Sequence, residues 1–290
     1  MTSTTDLLDR IGIEDYLARA DGVILHRDDS QAADPLHKSP DGALRVGVDL
    51  GTAYLVLVVL AEDGTPLAGE WQFAQVVRDG LVVDYIGAVD LLKGMKGRVE
   101  RRLGRELNLA VSGYPPGVPR IEVRATANVV MAAGMDCPNL IDEPSAANNV
   151  LRLNEGAIVD IGGGTTGIAI VRDGRIVYTA DEPTGGTHFS LVIAGALGIS
   201  FEEAEELKVK PTEQSRLFPV VRPVMEKVAS IILRHIRVHP VEHITLVGGT
   251  SAFCGITEVI QEYTGIATSV PQRPIFITPL GMALYNHAKS

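Results

Sequence analysis

From Leu44 onward, short apolar runs alternate with stretches whose apolar positions recur every three or four residues. Leu44 to Asp49 and Tyr54 to Ala61 read as two strands around a turn at Asp49-Leu50-Gly51-Thr52, and residues 68 to 78 as a third. Residues 87 to 107 then predict a helix, because Val89, Leu92, Met95, Val99 and Leu103 fall on one face. Leu107 to Ser112 and Asn139 to Asp142 read as strands, about 120 to 133 and Pro144 to Leu153 as helices. A second half repeats the opening: strand Ala157 to Ile161, turn Gly162 to Thr166, strand Gly167 to Arg172, strand Ile176 to Thr179. Helices at about 187 to 197, 201 to 208 and 218 to 237 follow, then a strand at His243 to Val247 and helices near 255 to 264 and from Pro279. Strands alternating with helices predict α/β architecture with mainly parallel, helix-covered sheets. Ahead of this core, residues 1 to 20 form a helical element with Ile13, Tyr16, Leu17 and Ala20 on one stripe, and 21 to 43 read as a linker. The expected organisation is 1–43 appended element and linker, 44–155 first lobe, 156–290 second lobe.

The 30 glycines cluster at particular turns, and that changes the picture from architecture to chemistry. Glycine has no Cβ and tolerates positive φ, so backbone N–H groups beside it can approach a phosphate closely. Asp49-Leu50-Gly51-Thr52 places a carboxylate at a strand end, where it can hold Mg²⁺ directly or through water. Asp160-Ile161-Gly162-Gly163-Gly164-Thr165 puts three glycines between apolar strands, which weakens a hairpin unless something must come near that backbone. Gly248-Gly249-Thr250 ends a strand where open α/β sheets bind ligands, a candidate for the nucleoside side. In Asp142-Glu143-Pro144-Ser145, Pro144 suits a first helical turn, and Glu143 either orients a water or is a solvated cap.

Composition narrows the partners. The sequence is 46% hydrophobic and 21% charged with net charge −10, which argues against nucleic acid or anionic membrane as the main partner. Cys137 and Cys254 lack zinc-ligand spacing. No apolar run approaches a membrane span, and the first residues lack the pattern of a secretory signal, so a cytoplasmic protein is expected. Lys96, Arg98, Arg101, Arg102 and Arg105 give one helix a basic character, read as a solvated face with an acidic partner as the alternative. Trp71, Phe73 and Tyr85 are expected in the core.

Taken in order, these motifs resemble the actin, hexokinase and heat-shock-chaperone ATPase superfamily, over about residues 44 to 288. The resemblance implies an actin-like ATPase (ribonuclease-H-like) fold, two duplicated lobes around a nucleotide cleft, with minimal insertions. Arg78-Asp79-Gly80 with Val83-Asp84, and Pro183 to Phe189 followed by Glu202 to Lys208, look like the small bacterial members. The whole chain is most similar to the ethanolamine-utilisation protein J family, described as chaperone-like and associated with a bacterial microcompartment.

By this resemblance, Gly51, Thr52, Gly162, Gly163, Gly164, Thr165, Gly185 and Gly186 line the phosphates of ATP or ADP. Asp49 and Asp160 hold Mg²⁺ and its waters, and Glu143 positions the attacking water. Gly248 and Gly249 face the nucleoside, with Glu205 and Lys208 toward ribose or base. Gly281 and Ala283 are the small residues of the second connecting helix. Chaperone ATPases carry a second aspartate where this chain has Gly167, and their catalytic-lysine insertion is missing or severely reduced here, so the expectation is a weak Mg-dependent ATPase at most. The resemblance further implies an accessory factor for an ethanolamine-pathway enzyme or a microcompartment shell protein. A nucleotide-binding assembly scaffold of the cell-division or pilus type, including a homo-oligomer, is the alternative. A small-metabolite kinase is third, since such kinases carry longer insertions.

Overall fold

The computed structural model describes residues 7–35, 41–78, 81–117 and 120–285; Asp79 and Gly80 lie outside the described residues. Backbone proximity divides the chain into two units, Met1–Arg152 with Phe276–Ser290, and Leu153–Ile275. The chain therefore crosses between units twice.

In the first unit the elements run α1 (Leu7–Ile11), α2 (Ile13–Asp21), β1 (Ile24–His26), α3 (Arg27–Ala32), β2 (Arg45–Leu50), β3 (Tyr54–Leu60), β4 (Pro66–Phe73), β5 (Val77–Arg78), β6 (Leu81–Val82), α4 (Tyr85–Leu103), β7 (Leu109–Tyr114), α5 (Arg120–Ala132), β8 (Asp136–Asp142) and α6 (Glu143–Leu151). The second unit holds β9 (Gly156–Ile161), β10 (Thr166–Arg172), β11 (Arg175–Glu182), α7 (Gly186–Leu197), α8 (Phe201–Val209), α9 (Pro211–Ile236), β12 (His243–Val247), α10 (Ile256–Thr264) and β13 (Ala267–Ser269). The last helix, α11 (Ile277–Ala283), belongs to the first unit.

The sheets share one plan. The first runs β1-β4-β3-β2-β7-β8 and the second β11-β10-β9-β12-β13. In both, the three strands of the opening meander pair antiparallel, and two later strands add in parallel. The duplication expected from sequence is thus a duplication of topology. The expected mainly parallel sheet is a mixed one, because short turns join the first three strands of each half and only antiparallel neighbours can be joined that way.

Helix α4 follows its sequence pattern. Asp84 caps it, accepting from Gly87 N at 2.9 Å, and it ends at Gly104 with φ +65°. Val89, Leu92, Met95, Val99 and Leu103 are all buried. Its basic residues are largely not a solvated face. Arg98 forks onto the buried Glu70, Nη2 to Oε1 at 2.6 Å and Nε to Oε2 at 2.9 Å. Buried Arg102 donates to the carbonyls of Gly69 and Val23, and Lys96 pairs with Glu100. The acidic-partner alternative therefore loses most of its residues. Trp71 is half-buried, while Phe73 and Tyr85 lie at the surface.

Two other expectations at the N-terminus are corrected. The appended element packs on the first unit: Tyr16, Leu17 and Ala20 are buried, and the Tyr16 hydroxyl donates to Gly64 O at 3.0 Å. Within the presumed linker, Ile24–His26 pairs parallel with β4. Gly69 makes that edge possible, since a Cβ there would stand 2.9 Å from Ile24 Cγ1.

Helix α9 begins at Pro211, seven residues before the expected start, and runs through Pro219 and Pro223. Each interior proline costs about 3 kcal/mol of helix stability. The stripe Leu217, Val221, Met225, Val228, Ile232 and Ile236, all buried, offsets that cost. Finally, α11 was expected in the second lobe (156–290) but packs on β2 and α6. A Cβ on Gly47 would lie 2.2 Å from Pro279 O, and one on Gly281 only 1.7 Å from Ala146 O. Such backbone contact admits glycine alone.

Candidate functional site

Both hairpin tips close in the same way. In the first unit Gly51 N donates to Tyr54 O, and in the second Gly162 N donates to Thr165 O, each at 3.1 Å. Asp49 and Asp160 occupy the penultimate positions of β2 and β9, with Val56 and Gly167 as cross-strand partners. Gly51 and Thr52 are half-buried at the first tip. Glu143 opens α6 behind the cap Asp142, whose carboxylate accepts from Ser145 N at 2.9 Å. Its Cγ lies 3.4 Å from where a Cβ on Gly113 would stand, so Gly113 at the end of β7 leaves room for it.

The second unit gathers far more of the expected residues. Gly185 and the first turn of α7 lie directly on the Gly162–Thr165 tip. Gly186 N donates to Gly162 O at 2.9 Å and Thr187 N to Gly163 O at 2.7 Å. Thr166 Oγ1 donates to Thr184 O at 2.6 Å. Gly185 has no room for a side chain: its Cβ would meet Gly162 O and Gly163 O, each at 2.8 Å. From a third direction Thr250 Oγ1 donates to Gly162 O at 2.8 Å. Gly248, at φ +85°, lies against the second hairpin; its Cβ would stand 2.2 Å from Asp160 Oδ1 and 2.7 Å from Ile161 O. Gly249 is turned away, toward the side chain of Ile275. Three glycine stretches far apart in sequence thus meet around one carbonyl, that of Gly162.

Behind them sits a buried ion pair. Lys208 Nζ and Glu205 Oε2 are 2.6 Å apart, with side chains only 7% and 6% exposed. Lys208 also donates to Gly186 O at 3.2 Å, and Ser190 Oγ donates to Glu205 at 2.5 Å. Burial drives the Lys208 ammonium below its usual pKa, and the Glu205 carboxylate pulls against that shift. A Cβ on Gly186 would strike Thr250 Oγ1 at 2.2 Å and approach Lys208 Nζ to 3.1 Å. Gly185, Gly186 and Gly248 thus bring their neighbours closer than any side chain would allow. His188 turns inward as well, its Nδ1 accepting from Gly185 N at 3.3 Å.

The arrangement suits a ligand rich in phosphate oxygen: tightly turned, glycine-lined backbone beside an aspartate at the strand end. Among the described residues no three His, Cys, Asp or Glu side chains gather as a cation cage. The Asp160 carboxylate fits a hard cation that shares one or two protein oxygens with phosphate and water, the habit of magnesium. Sequence reasoning missed the bracing roles of Thr250, Thr166 and Ser190. Hydroxyl residues beside glycine turns are the signal that would have found the first two.

Comparison with known proteins agrees with this architecture. The family model for the type IV pilus assembly protein PilM matches residues 145–277, and that for MreB/Mbl protein matches 67–210. The ethanolamine utilization protein EutJ of Escherichia coli strain K12 is 40% identical over 252 residues, 86% of this chain and 88% of its own length. The crystal structure of EutJ from Carboxydothermus hydrogenoformans is similar with a TM-score of 0.86 at 44% identity, covering 94% of this chain and 98% of that one. At 19% identity, MreB5 of Spiroplasma citri bound to AMPPNP is similar in fold with a TM-score of 0.67, over 86% of this chain and 97% of its own. No helix among the described residues is long and apolar enough to cross a membrane. The chain has the actin-like ATPase fold and belongs to the EutJ family of ethanolamine utilization proteins.

Proposed function

We propose that the protein is an ATP-binding accessory factor of ethanolamine utilisation that acts on a partner protein, with slow or partner-stimulated hydrolysis. The observation that carries this reading is the convergence of Gly185, Gly186, Gly248 and Thr250 on the second hairpin around Asp160 and Gly162, with the buried Glu205–Lys208 pair behind Gly186. In this reading Gly162 to Thr165 with Gly185 and Gly186 hold phosphate oxygens. Gly248 and the Glu205–Lys208 pair face the nucleoside; Gly249 shapes that loop from behind. The first unit supplies Gly51 and Thr52 as its phosphate loop and Asp49 as a second carboxylate for Mg²⁺. Glu143 holds the attacking water, and Asp160 orients the water shell of the cation. A change of state on binding nucleotide is the means of acting on the partner, an ethanolamine-pathway enzyme or a microcompartment shell protein.

Backbone donors suffice for binding. Hydrolysis also needs charge stabilisation at the leaving and attacking oxygens, often worth several kcal/mol. The proposed turnover is accordingly below about 1 s⁻¹, under the usual range for enzymes. The test is phosphate release from ATP by wild type and Glu143→Gln, alone and with pathway enzymes or shell proteins added. Slow release that a partner accelerates and Glu143→Gln abolishes supports the reading. ATP-dependent filaments without release favour the scaffold alternative. Turnover that appears only with a small phosphoryl acceptor would make it a kinase and overturn the proposal.

A further inference from the structure

Position 167, beside the second hairpin tip, has no side chain of its own, yet a carboxylate reaches it from the neighbouring strand. In β10, Gly167 pairs with Asp160 of β9 on one side and with Asp181 of β11 on the other. Residues directly opposite one another in antiparallel strands point to the same face of a sheet. Asp160, Gly167 and Asp181 therefore share one face, and the glycine leaves a gap between two carboxylates. A Cβ placed on Gly167 would be 3.8 Å from Asp160 Cβ and 3.8 Å from Asp181 Oδ1. Side chains at paired positions two strands apart start about 10 Å from each other. The Asp181 oxygen, by lying within van der Waals reach of the vacant Cβ position, leans across that gap toward Asp160.

The next residue fixes this placement. Glu182 points to the opposite face, where Arg234 Nη2 at 2.5 Å and His235 Nε2 at 3.0 Å hold its carboxylate. His235 Nδ1 is bound in turn to the Tyr178 hydroxyl at 2.7 Å, and Tyr178 stacks on His239. The end of β11 is thereby clamped to α9, and the strand leads straight into Thr184, Gly185 and Gly186 of the cradle.

We propose that Asp181 is a cation-side carboxylate of the nucleotide site, supplied by β11 where position 167 carries none, and that Glu182 is its positioning residue. This rests on the nucleotide reading above. With Asp160, Asp181 makes a two-carboxylate edge that holds Mg²⁺ through its waters while the cradle holds phosphate. Two carboxylates with phosphate oxygens and water are the usual surroundings of a nucleotide's magnesium.

The test is calorimetric binding of ADP and ATP with and without Mg²⁺, in wild type, Asp181→Asn, and Asp181→Asn with Gly167→Asp. The wild-type protein should bind more tightly with Mg²⁺. Asp181→Asn should lose roughly 10- to 100-fold of that Mg²⁺ enhancement, the range for removing an outer partner of a bound metal. Its metal-free affinity should not fall, because a negative charge near phosphate has been removed. Gly167→Asp meets only ordinary contacts and has no positive φ to strain it, so the double variant should recover the enhancement. Asp181→Asn with undiminished Mg²⁺ enhancement overturns this inference and leaves the nucleotide reading standing. No binding of ADP or ATP by the wild type overturns both.

Discussion

Removing the ammonium of Lys208 tests the cradle from behind. In Lys208→Met, Glu205 loses its ammonium partner at 2.6 Å and Gly186 O loses its lysine donor. Both charged side chains are more than nine-tenths buried, so water does not replace the lost partner cheaply. Breaking a buried ion pair on one side costs about 3–5 kcal/mol. With urea slopes of roughly 2–3 kcal/mol/M, the midpoint of the transition that includes the second unit should fall by about 1–2.5 M. The double variant Lys208→Met with Glu205→Gln leaves no charge at this buried pair and should be more stable than Lys208→Met alone. The assay is urea unfolding of the four proteins as a double-mutant cycle, with ADP affinity measured on the folded baseline. A single-variant cost below about 1 kcal/mol, the level of an exposed pair, would refute the reasoning.

Other outcomes follow from the same geometry. Gly281→Ala should destabilise by about 1–3 kcal/mol or more, because its Cβ would collide with backbone at Ala146, whereas Gly97→Ala, in open space within α4, should stabilise by about 0.5–1 kcal/mol; thermal melts compare them. Burial pushes the Cys137 thiol up to about 11 while Cys254 is exposed, so iodoacetamide at pH 8 should label Cys254 alone until the protein unfolds, as read by peptide mass. The folded pKa of Glu182 lies below the unfolded value of 4.5; its contribution is therefore complete above pH 4.5 and lost as pH falls through the lowered value. Acid titration should show the stability gap between wild type and Glu182→Gln closing over that window.

What the sequence made legible was chiefly punctuation and periodicity. Gly162-Gly163-Gly164 between two apolar runs marks a hairpin tip whatever the rest of the fold does. The five apolar positions of α4 announce a buried face that the structure confirms residue by residue. Charge was harder to read, because Arg98 and Arg102 are hydrophilic in sequence yet find Glu70 and backbone carbonyls inside. Strand β1 escaped notice because three residues carry no period, and its pairing depends on a glycine more than forty positions away. The first turns of α9 escape the pattern because Thr212 to Arg216 are all polar and give the apolar stripe nowhere to begin. Glu205 and Lys208, three apart on α8, plainly share a face, but nothing local says that the face points inward. Asp181 was invisible as a candidate for a similar reason. Its meaning lies in strand register across β9, β10 and β11, and register is set by the whole sheet.

The most direct measurement is calorimetric titration of the purified protein with ADP, with adenosine alongside and Gly186→Val as a control. Valine there drives its branched side chain into Thr250 and Lys208 and fills the cradle. The account predicts ADP binding in the micromolar range, far weaker binding of adenosine, and loss of ADP binding in a Gly186→Val protein that remains folded. Absence of ADP binding by folded wild-type protein, or equal binding by Gly186→Val, would contradict it.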